Sequence, residues 1–139
     1  MSSLKMNEEQ MRSFLAQEFP QSTSQVVEIN EEFALLKQPI DESHLRPGGT
    51  VSGPTLMTLA DVAMYVVLLS KIGPVALAVT TDLTIHFLNK PTAGKDIIAK
   101  ASLLKLGKRL AIGEVELFSE GETQPVAHVV ATYSVPPSV

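Results

Sequence analysis

The stretch that decides the fold is HLRPGGTVSGPTLMTLADVAMYVVLL, residues 44–69. In its second half, apolar side chains recur three and four residues apart and also fill most of the opposite side, which predicts a buried helix over residues 53–71. The pair Gly73-Pro74 ends this helix. A single acid, Asp61, interrupts the apolar run two turns into the helix, so the same stretch contains the first candidate for a functional side chain.

Downstream of the helix the sequence changes to a period of two. Apolar and polar side chains alternate over residues 79–87, which predicts a half-buried strand followed by a turn at 89–94. Three further strands, separated by turns, are predicted over residues 97–106, 110–118 and 125–135. Because short turns join antiparallel neighbours, we expect a four-stranded antiparallel meander. One long apolar helix and one such sheet predict an α+β domain in which the sheet wraps around the helix.

Upstream of the helix the pattern predicts two smaller units. Apolar residues at helical spacing, with Asn7 as N-cap, predict a short helix over residues 7–19. Residues 25–38 have the pattern of one or two strands. We therefore divide the chain into an N-terminal helix with its lead-in, residues 1–22, and a single domain, residues 23–139.

Composition excludes several classes of protein. The chain has 139 residues, 45% of them hydrophobic, with a net charge of −4, which argues against a nucleic-acid partner bound through a basic surface. Cysteine is absent, so neither disulfides nor cysteine-based metal sites are expected. The polar first residues lack the apolar core of a signal peptide, and the longest uncharged apolar run, residues 62–70, falls short of the ~20 residues of a membrane span. We expect a cytoplasmic protein without a membrane partner.

Common catalytic and metal-binding motifs are missing. GTVSG has the wrong serine spacing for a nucleophile elbow, and there is no P-loop and no dinucleotide fingerprint. The histidines His44, His86 and His128 lack metal-ligand spacing, and we expect them to be structural or on the surface. A triad of Ser52, Asp61 and a histidine is conceivable, but no spacing supports it.

Asp61 is the most informative single residue. An ionised, unpaired carboxylate in an apolar place costs several kcal/mol, so its presence needs an explanation. One explanation is structural, namely an ion pair, hydrogen bonds to the backbone, or an exposed flank of the helix. The other is functional, since a carboxylate on an apolar face suits a general base or a nucleophile.

Gly53 stands where the same helix begins. Backbone N–H groups at a helix start lack partners, and one of them aimed at a carbonyl oxygen would form part of an oxyanion hole. The alternative is that Gly48, Gly49 and Gly53 only form a tight turn. Gly53 and Asp61 lie about 12 Å apart along the helix axis, too far to act on one carbonyl within one chain. Two helices that meet across a dimer would bring Gly53 of one chain to Asp61 of the other.

Two features of the predicted architecture require a partner chain. The long helix is apolar on more sides than one sheet can cover, and the sheet leaves edge strands that need pairing or blocking. We therefore expect a homodimer, and a dimer of such dimers as the next level of assembly.

The segments HLRPGGTVSGPTLMTLADVAM, AVTTDLTIHFLNKP and LLKLGKRLAIGEVELF, with VAHVVATYSV near the end, resemble the hotdog-fold acyl-CoA thioesterases of the phenylacetic-acid-degradation (PaaI-like) type. The resemblance covers about residues 40–135. It implies a sheet wrapped around a central helix, assembly as dimers and often tetramers, and hydrolysis of an acyl-CoA to free acid and CoA with no further cofactor. Asp61 matches the catalytic carboxylate, acting as nucleophile or as base for water. Gly53 matches the backbone donor supplied by the neighbouring subunit, and Thr80 a hydroxyl that places the attacking water.

The same resemblance assigns substrate-binding positions. Lys90, Lys108 and Arg109 lie at turns near where the family binds the CoA phosphates. Met57 and Met64 are candidates to line a pocket for a medium-chain or aromatic acyl group, or else they are plain core.

The chain departs from the family pattern upstream of Asp61. Where the family commonly has H-G-G it has Ser52-Gly53-Pro54, and Arg46 stands where Asn or Gln is typical. Ser52 and Arg46 are nevertheless retained as site candidates, and Arg46 could instead pair with Asp61 and silence it. A non-catalytic acyl-CoA or fatty-acyl sensor on the same fold is therefore the main alternative, with a hotdog hydratase ranked last.

Overall fold

Two α-helices, one short 3-10 helix and six strands make up residues 4–137, the part of the chain that the computed structural model describes. In chain order they are α1 (Glu8–Glu18), β1 (Gln25–Ile29), β2 (Ala34–Gln38), the 3-10 helix (Glu42–His44), α2 (Gly53–Ile72), β3 (Val79–Phe87), β4 (Ile97–Leu106), β5 (Leu110–Ser119) and β6 (Ala127–Ser134). The predicted elements are confirmed to within about two residues at most ends. Asn7 caps α1 as expected, and residues 25–38 form two strands.

The six strands form one antiparallel sheet in the order β1-β2-β4-β5-β6-β3. Helix α2 packs against one face of this sheet and contacts β2 to β6. The core is continuous from Met6 and Met11 near the N-terminus through α2 to Tyr133 on β6. The N-terminal helix therefore shares its core with the rest of the domain.

Helix α2 has clear physical limits at both ends. Ser52 caps its start by accepting a hydrogen bond from the Thr55 N–H, and Gly73 ends it with φ +97°, a conformation that favours glycine. The helix is long and apolar enough to cross a membrane by length and composition alone. However, 67% of its most apolar 18-residue window is buried inside the domain, as in a core helix.

The predicted four-stranded meander is wrong at one strand. β4, β5 and β6 follow one another as hairpins, but β3 pairs with β6 and not with β4. The corresponding edge of β4 is already occupied by β2. Residues 88–96 instead cross the ends of β6 and β5, where the Thr92 N–H donates to the Ser119 hydroxyl. The turn predicted at 89–94 is thus part of a crossing connection.

A bulge at Thr81 breaks the strict alternation predicted for β3. Thr80 pairs with Tyr133, and Asp82 pairs with the adjacent residue of β6, so one residue of β3 is left over. Without the bulge, Thr80 would face away from the side that Leu83 occupies. With it, both side chains face α2, and Thr80 reaches the helix.

The outer edge of β1 is covered by α1. The Arg12 guanidinium donates to the Val26 carbonyl at 2.8 and 3.1 Å, and the Ile29 N–H donates to the Glu8 carboxylate at 3.0 Å. These contacts occupy backbone groups that would otherwise be free to pair with another chain.

The other edge of the sheet, formed by β3, has no strand beside it within residues 4–137. Apolar side chains on and next to this strand are strongly exposed, including Leu77 (77% exposed), Phe87 (56%), Val79 and Leu88. The sheet therefore has one covered edge and one open, apolar edge.

Candidate active site

Asp61 receives two hydroxyl donors on one of its carboxylate oxygens. The Thr80 hydroxyl, from β3, donates to Asp61 Oδ1. The Tyr133 hydroxyl, from β6, lies 2.9 Å from the same oxygen and 3.0 Å from the Asp61 backbone carbonyl. The carboxylate is half-buried. No ion pair to Asp61 is observed within the described chain. Its carboxylate accepts its hydrogen bonds from side chains and not from the backbone.

The second carboxylate oxygen of Asp61, Oδ2, has no hydrogen-bond partner within residues 4–137. Every fully buried side-chain oxygen or nitrogen in the same range has a hydrogen-bond partner, so Oδ2 is not fully buried. One oxygen of this carboxylate is thus fixed by the protein and the other is available to a ligand. This is the arrangement expected of a base or a nucleophile.

Tyr133 was missed by the sequence reasoning, although a signal for it exists. Its side chain is only 3% exposed, and burial, followed by the nearby negative charge of Asp61, raises the pKa of its phenol far above the ordinary value. The group therefore remains a protonated donor. The signal is its place in β6: the two-residue period puts Tyr133 in the inward row with Val129 and Ala131, where a buried phenol needs a hydrogen-bond partner.

Gly53 lies at the start of α2 beside a cavity of about 510 Å³. Arg46 and Lys90 line the same cavity, together with the exposed ring of Phe87. A Cβ on Gly53 would come within 3.1 Å of that ring, so the glycine allows close approach to the helix start. Arg46 forms no ion pair with Asp61 within the described chain.

Ser52 has a structural part in the site. Its hydroxyl accepts from the Thr55 N–H at 3.3 Å and lies 2.9 Å from the Thr55 hydroxyl, so it caps α2 and fixes where the Gly53 amide stands. Pro54 lies in the first turn of α2, where a backbone N–H has no hydrogen-bond acceptor within the helix. The N–H that proline lacks is therefore not needed there.

The two methionine candidates lie in different environments. Met57 is 40% exposed on the side of α2 that the sheet leaves open. Met64 is fully buried, and its sulfur fills the space above Gly113, so close that a Cβ there would overlap it. As placed in the single chain, Met64 is a core residue and not a lining residue of an open pocket.

Lys108 and Arg109 lie away from the cavity at Gly53. Both are exposed at the predicted β4–β5 hairpin, which is confirmed by the hydrogen bond from the Gly107 N–H to the Leu110 carbonyl. The Arg109 carbonyl accepts from the Val135 N–H, which ties the hairpin to the end of β6 near Tyr133. These two cations are therefore at the Asp61 end of the site, whereas Arg46 and Lys90 are at the Gly53 end.

The three histidines take no part in this site. His44 accepts from the Asp41 N–H, His128 forms a hydrogen bond to Glu114, and His86 is exposed on β3. No cluster of three or more potential metal-ligating side chains occurs among residues 4–137.

Comparison with known sequences gives a consistent set of relatives. The sequence profile described as "Thioesterase superfamily" matches residues 48–126. Human acyl-coenzyme A thioesterase 13 is 29% identical over 94 residues, which make up 67% of this chain and 66% of the human protein. The chain thus spans just under two thirds of the length of that relative.

Solved structures match over more of the chain. The crystal structure of a proposed thioesterase from Silicibacter sp. TM1040 has a TM-score of 0.89 and 42% identity, and the match covers 96% of this chain and 94% of that one. A mutant of the phenylacetic acid degradation protein PaaI from Thermus thermophilus has a TM-score of 0.71 and 26% identity, over 89% of this chain and 99% of that one. With the family match, these similarities confirm the hotdog fold expected from the sequence.

Proposed function

The chain belongs to the thioesterase superfamily, and from that premise we propose that it hydrolyses an acyl-CoA thioester to a free acid and coenzyme A. The observation that carries this proposal is the state of Asp61, which has one oxygen held by two hydroxyl donors and the other without a hydrogen-bond partner in the described chain. A carboxylate held in this way is ready to act on a ligand at its free oxygen.

Two routes lead from this carboxylate to the same products. As a general base, Asp61 takes a proton from water while the water oxygen attacks the thioester carbonyl carbon. As a nucleophile, it forms an acyl-enzyme anhydride that water then hydrolyses. In both routes the C–S bond breaks and the thiolate of CoA leaves and takes up a proton.

The developing negative charge on the carbonyl oxygen needs a donor, and the Gly53 amide of a second copy would supply it. Within one chain Gly53 and Asp61 are about 12 Å apart along α2. The open edge of β3, with its exposed apolar side chains, supports pairing of two copies there, whereas α1 covers the other edge. A two-fold axis beside β3 would bring the helices of the two copies side by side. A dimer of such dimers is compatible with this proposal.

The substrate proposed here is a CoA thioester of a medium-chain or aromatic acid. Arg46 and Lys90 at the Gly53 end, and Lys108 and Arg109 at the hairpin, are cations that would face the CoA phosphates from the two copies. Met57 is the exposed apolar side chain available to the acyl group.

Hydrolysis of a panel of acyl-CoAs, followed by release of the free CoA thiol, tests this function. Asp61→Ala should abolish turnover while acyl-CoA binding, measured by calorimetry, persists. Asp82→Ala is the matched control, because Asp82 is an exposed acid on the same strand as Thr80 whose side chain has no hydrogen bond or ion pair in the described chain. Turnover that survives Asp61→Ala would contradict the catalytic role. Binding without hydrolysis anywhere in the panel would favour the acyl-CoA sensor.

A further inference from the structure

We propose that Tyr133 is the positioning residue of this site: together with Thr80 it holds Asp61 Oδ1 and thereby leaves Oδ2 as the oxygen that meets water or the thioester. This inference rests on the proposed function and goes beyond it, because it assigns different tasks to the two oxygens of one carboxylate and names the residue that separates them.

The contacts make the two oxygens inequivalent. Thr80 and Tyr133 are directly paired across β3 and β6, and both side chains point at α2 and end at Oδ1. The Tyr133 hydroxyl also lies 3.0 Å from the carbonyl oxygen of Asp61 itself, so it contacts the carboxylate and the helix backbone at once. Two donors arriving from two strands, each bonded to a charged group, hold Oδ1 more firmly than a single donor would and so restrain rotation of the carboxylate.

Tyr133 is itself rigidly held. Its ring is buried and packs against Tyr65 with ring centroids 6.1 Å apart. Tyr65 in turn contacts Phe14 of α1 and Phe19 just after it, and its hydroxyl donates to the Ala76 carbonyl at 3.0 Å. A chain of aromatic rings thus extends from the N-terminal helix to the carboxylate. The Tyr133 hydroxyl is therefore a fixed point toward which Asp61 is oriented.

This geometry has a consequence for the chemical step. A carboxylate whose Oδ1 is occupied presents Oδ2 in one orientation, and a reacting group must be held to within a fraction of an ångström for full rate. Loss of the Tyr133 hydroxyl would let the carboxylate rotate and would remove a donor that stabilises its ionised form. Neither change affects groups that bind CoA, so the loss should fall on kcat and not on KM.

Tyr133→Phe, compared with Tyr65→Phe, tests the assignment. Both substitutions remove one hydroxyl from a buried ring, and the chain contains no other tyrosine, so Tyr65→Phe reports the structural cost alone. We expect Tyr133→Phe to lower kcat by roughly 10- to 100-fold, the range of one lost hydrogen bond to a charged group, with KM nearly unchanged. Tyr65→Phe should keep the wild-type kcat at a similar melting temperature.

A second measurement needs neither activity nor a folded Tyr133 variant. The hydroxyl proton of a buried phenol that donates to a carboxylate gives a downfield proton NMR signal. Because the Thr80 hydroxyl donates to the same oxygen, the signal that belongs to Tyr133 is the one retained in both Tyr65→Phe and Thr80→Val. Asp61→Asn should move this signal. A Tyr133→Phe enzyme with wild-type kcat, or a hydroxyl signal unmoved by Asp61→Asn, would overturn the inference. Absence of hydrolysis by the wild-type chain would instead refute the proposed function, and the NMR comparison would still decide the Tyr133–Asp61 contact.

Discussion

Thr80 and Tyr133 are paired across two neighbouring strands, and their hydroxyl groups converge on a single oxygen of Asp61. The convergence depends on the bulge at Thr81, which turns Thr80 toward α2 on a strand whose polar residues otherwise face away. Bulges commonly re-aim a side chain next to an active site. Here the bulge provides one of the two donors that hold the carboxylate.

Thr80→Val removes that donor without changing the shape of the side chain much. We expect a roughly tenfold lower kcat, the effect of one hydrogen bond to a charged group, and Thr80→Ser should recover most of it because the hydroxyl is restored. Thr84→Val is the control, since Thr84 is exposed on the same strand and has no side-chain hydrogen bond in the described chain. Equal kcat values for Thr80→Val and Thr84→Val would contradict a role for the Thr80 donor.

Tyr133 should ionise only when the protein unfolds in alkali. Burial raises the pKa of Tyr133 first, with the charge of Asp61 adding to it, and burial also raises the pKa of Tyr65. The unfolded chain would release these protons near pH ~10 while the folded chain still holds them, so the free energy of unfolding falls as pH rises above ~10. Because tryptophan and cysteine are absent, ultraviolet absorbance in this range reports the two phenols alone. The last part of the tyrosinate absorbance, that of Tyr133, should rise together with loss of circular dichroism, and complete ionisation of both phenols before unfolding would refute the burial of Tyr133.

The fold was largely predictable because its signals are local. The apolar run of α2, its end at Gly73-Pro74 and the tight hairpin around Gly107 depend on neighbours in sequence, and each of these elements is confirmed. The position of β3 was not predictable in this way. Which edge a strand joins depends on which edges other strands already occupy, and β2 reaches β4 from a distant part of the chain.

The candidate site was predictable only in part for a related reason. Asp61 stands out as an acid in an apolar helix, and Gly53 as a glycine at a helix start. Tyr133 has no such contrast with its neighbours, since a tyrosine in a strand is ordinary. Its role arises from its register opposite Thr80 and from packing against Tyr65, which local periodicity does not specify.

Glu8 should make stability depend on pH through its contact with β1. The hydrogen bond from the Ile29 N–H is the main cause that lowers the pKa of this carboxyl below its ordinary value. Because the pKa of Glu8 is lower in the folded than in the unfolded chain, its contribution to stability is fully present above the unfolded-state pKa. That contribution is lost as the pH falls through the folded-state pKa. Glu8→Gln should therefore show a smaller drop in melting temperature than wild type between pH ~5 and ~3. Glu9→Gln, an exposed neighbour, should behave as wild type, and identical slopes for all three proteins would contradict the contact.

Gly53→Ala should separate the chemistry of the helix start from its stability. The three atoms nearest to the added Cβ all belong to the Phe87 ring, the closest at 3.1 Å, and that ring needs to shift by only a fraction of an ångström, so the melting temperature should change little. A methyl group next to the Gly53 N–H would hinder a thioester carbonyl, and we expect kcat/KM to fall roughly tenfold or more. The double variant Gly53→Ala/Phe87→Leu removes the ring contact. If it regained full activity, the loss would come from Phe87 and not from hindered access to the amide.

Mixing two impaired variants tests whether the site is shared between chains. In the proposed dimer each site takes Asp61 from one chain and Gly53 from the other. A heterodimer of Asp61→Asn and Gly53→Ala chains then has one site with both altered residues and one intact site. Random pairing of equal amounts makes half of the dimers mixed, so activity should recover to about a quarter of the wild-type value.

Wild type mixed with Asp61→Asn should keep about half of the wild-type activity, which shows that an altered chain does not impair the intact site beside it. Activity equal to the average of the two variants alone, despite proven exchange, would place each site within one chain, and a strictly monomeric mass in solution would contradict the shared site directly.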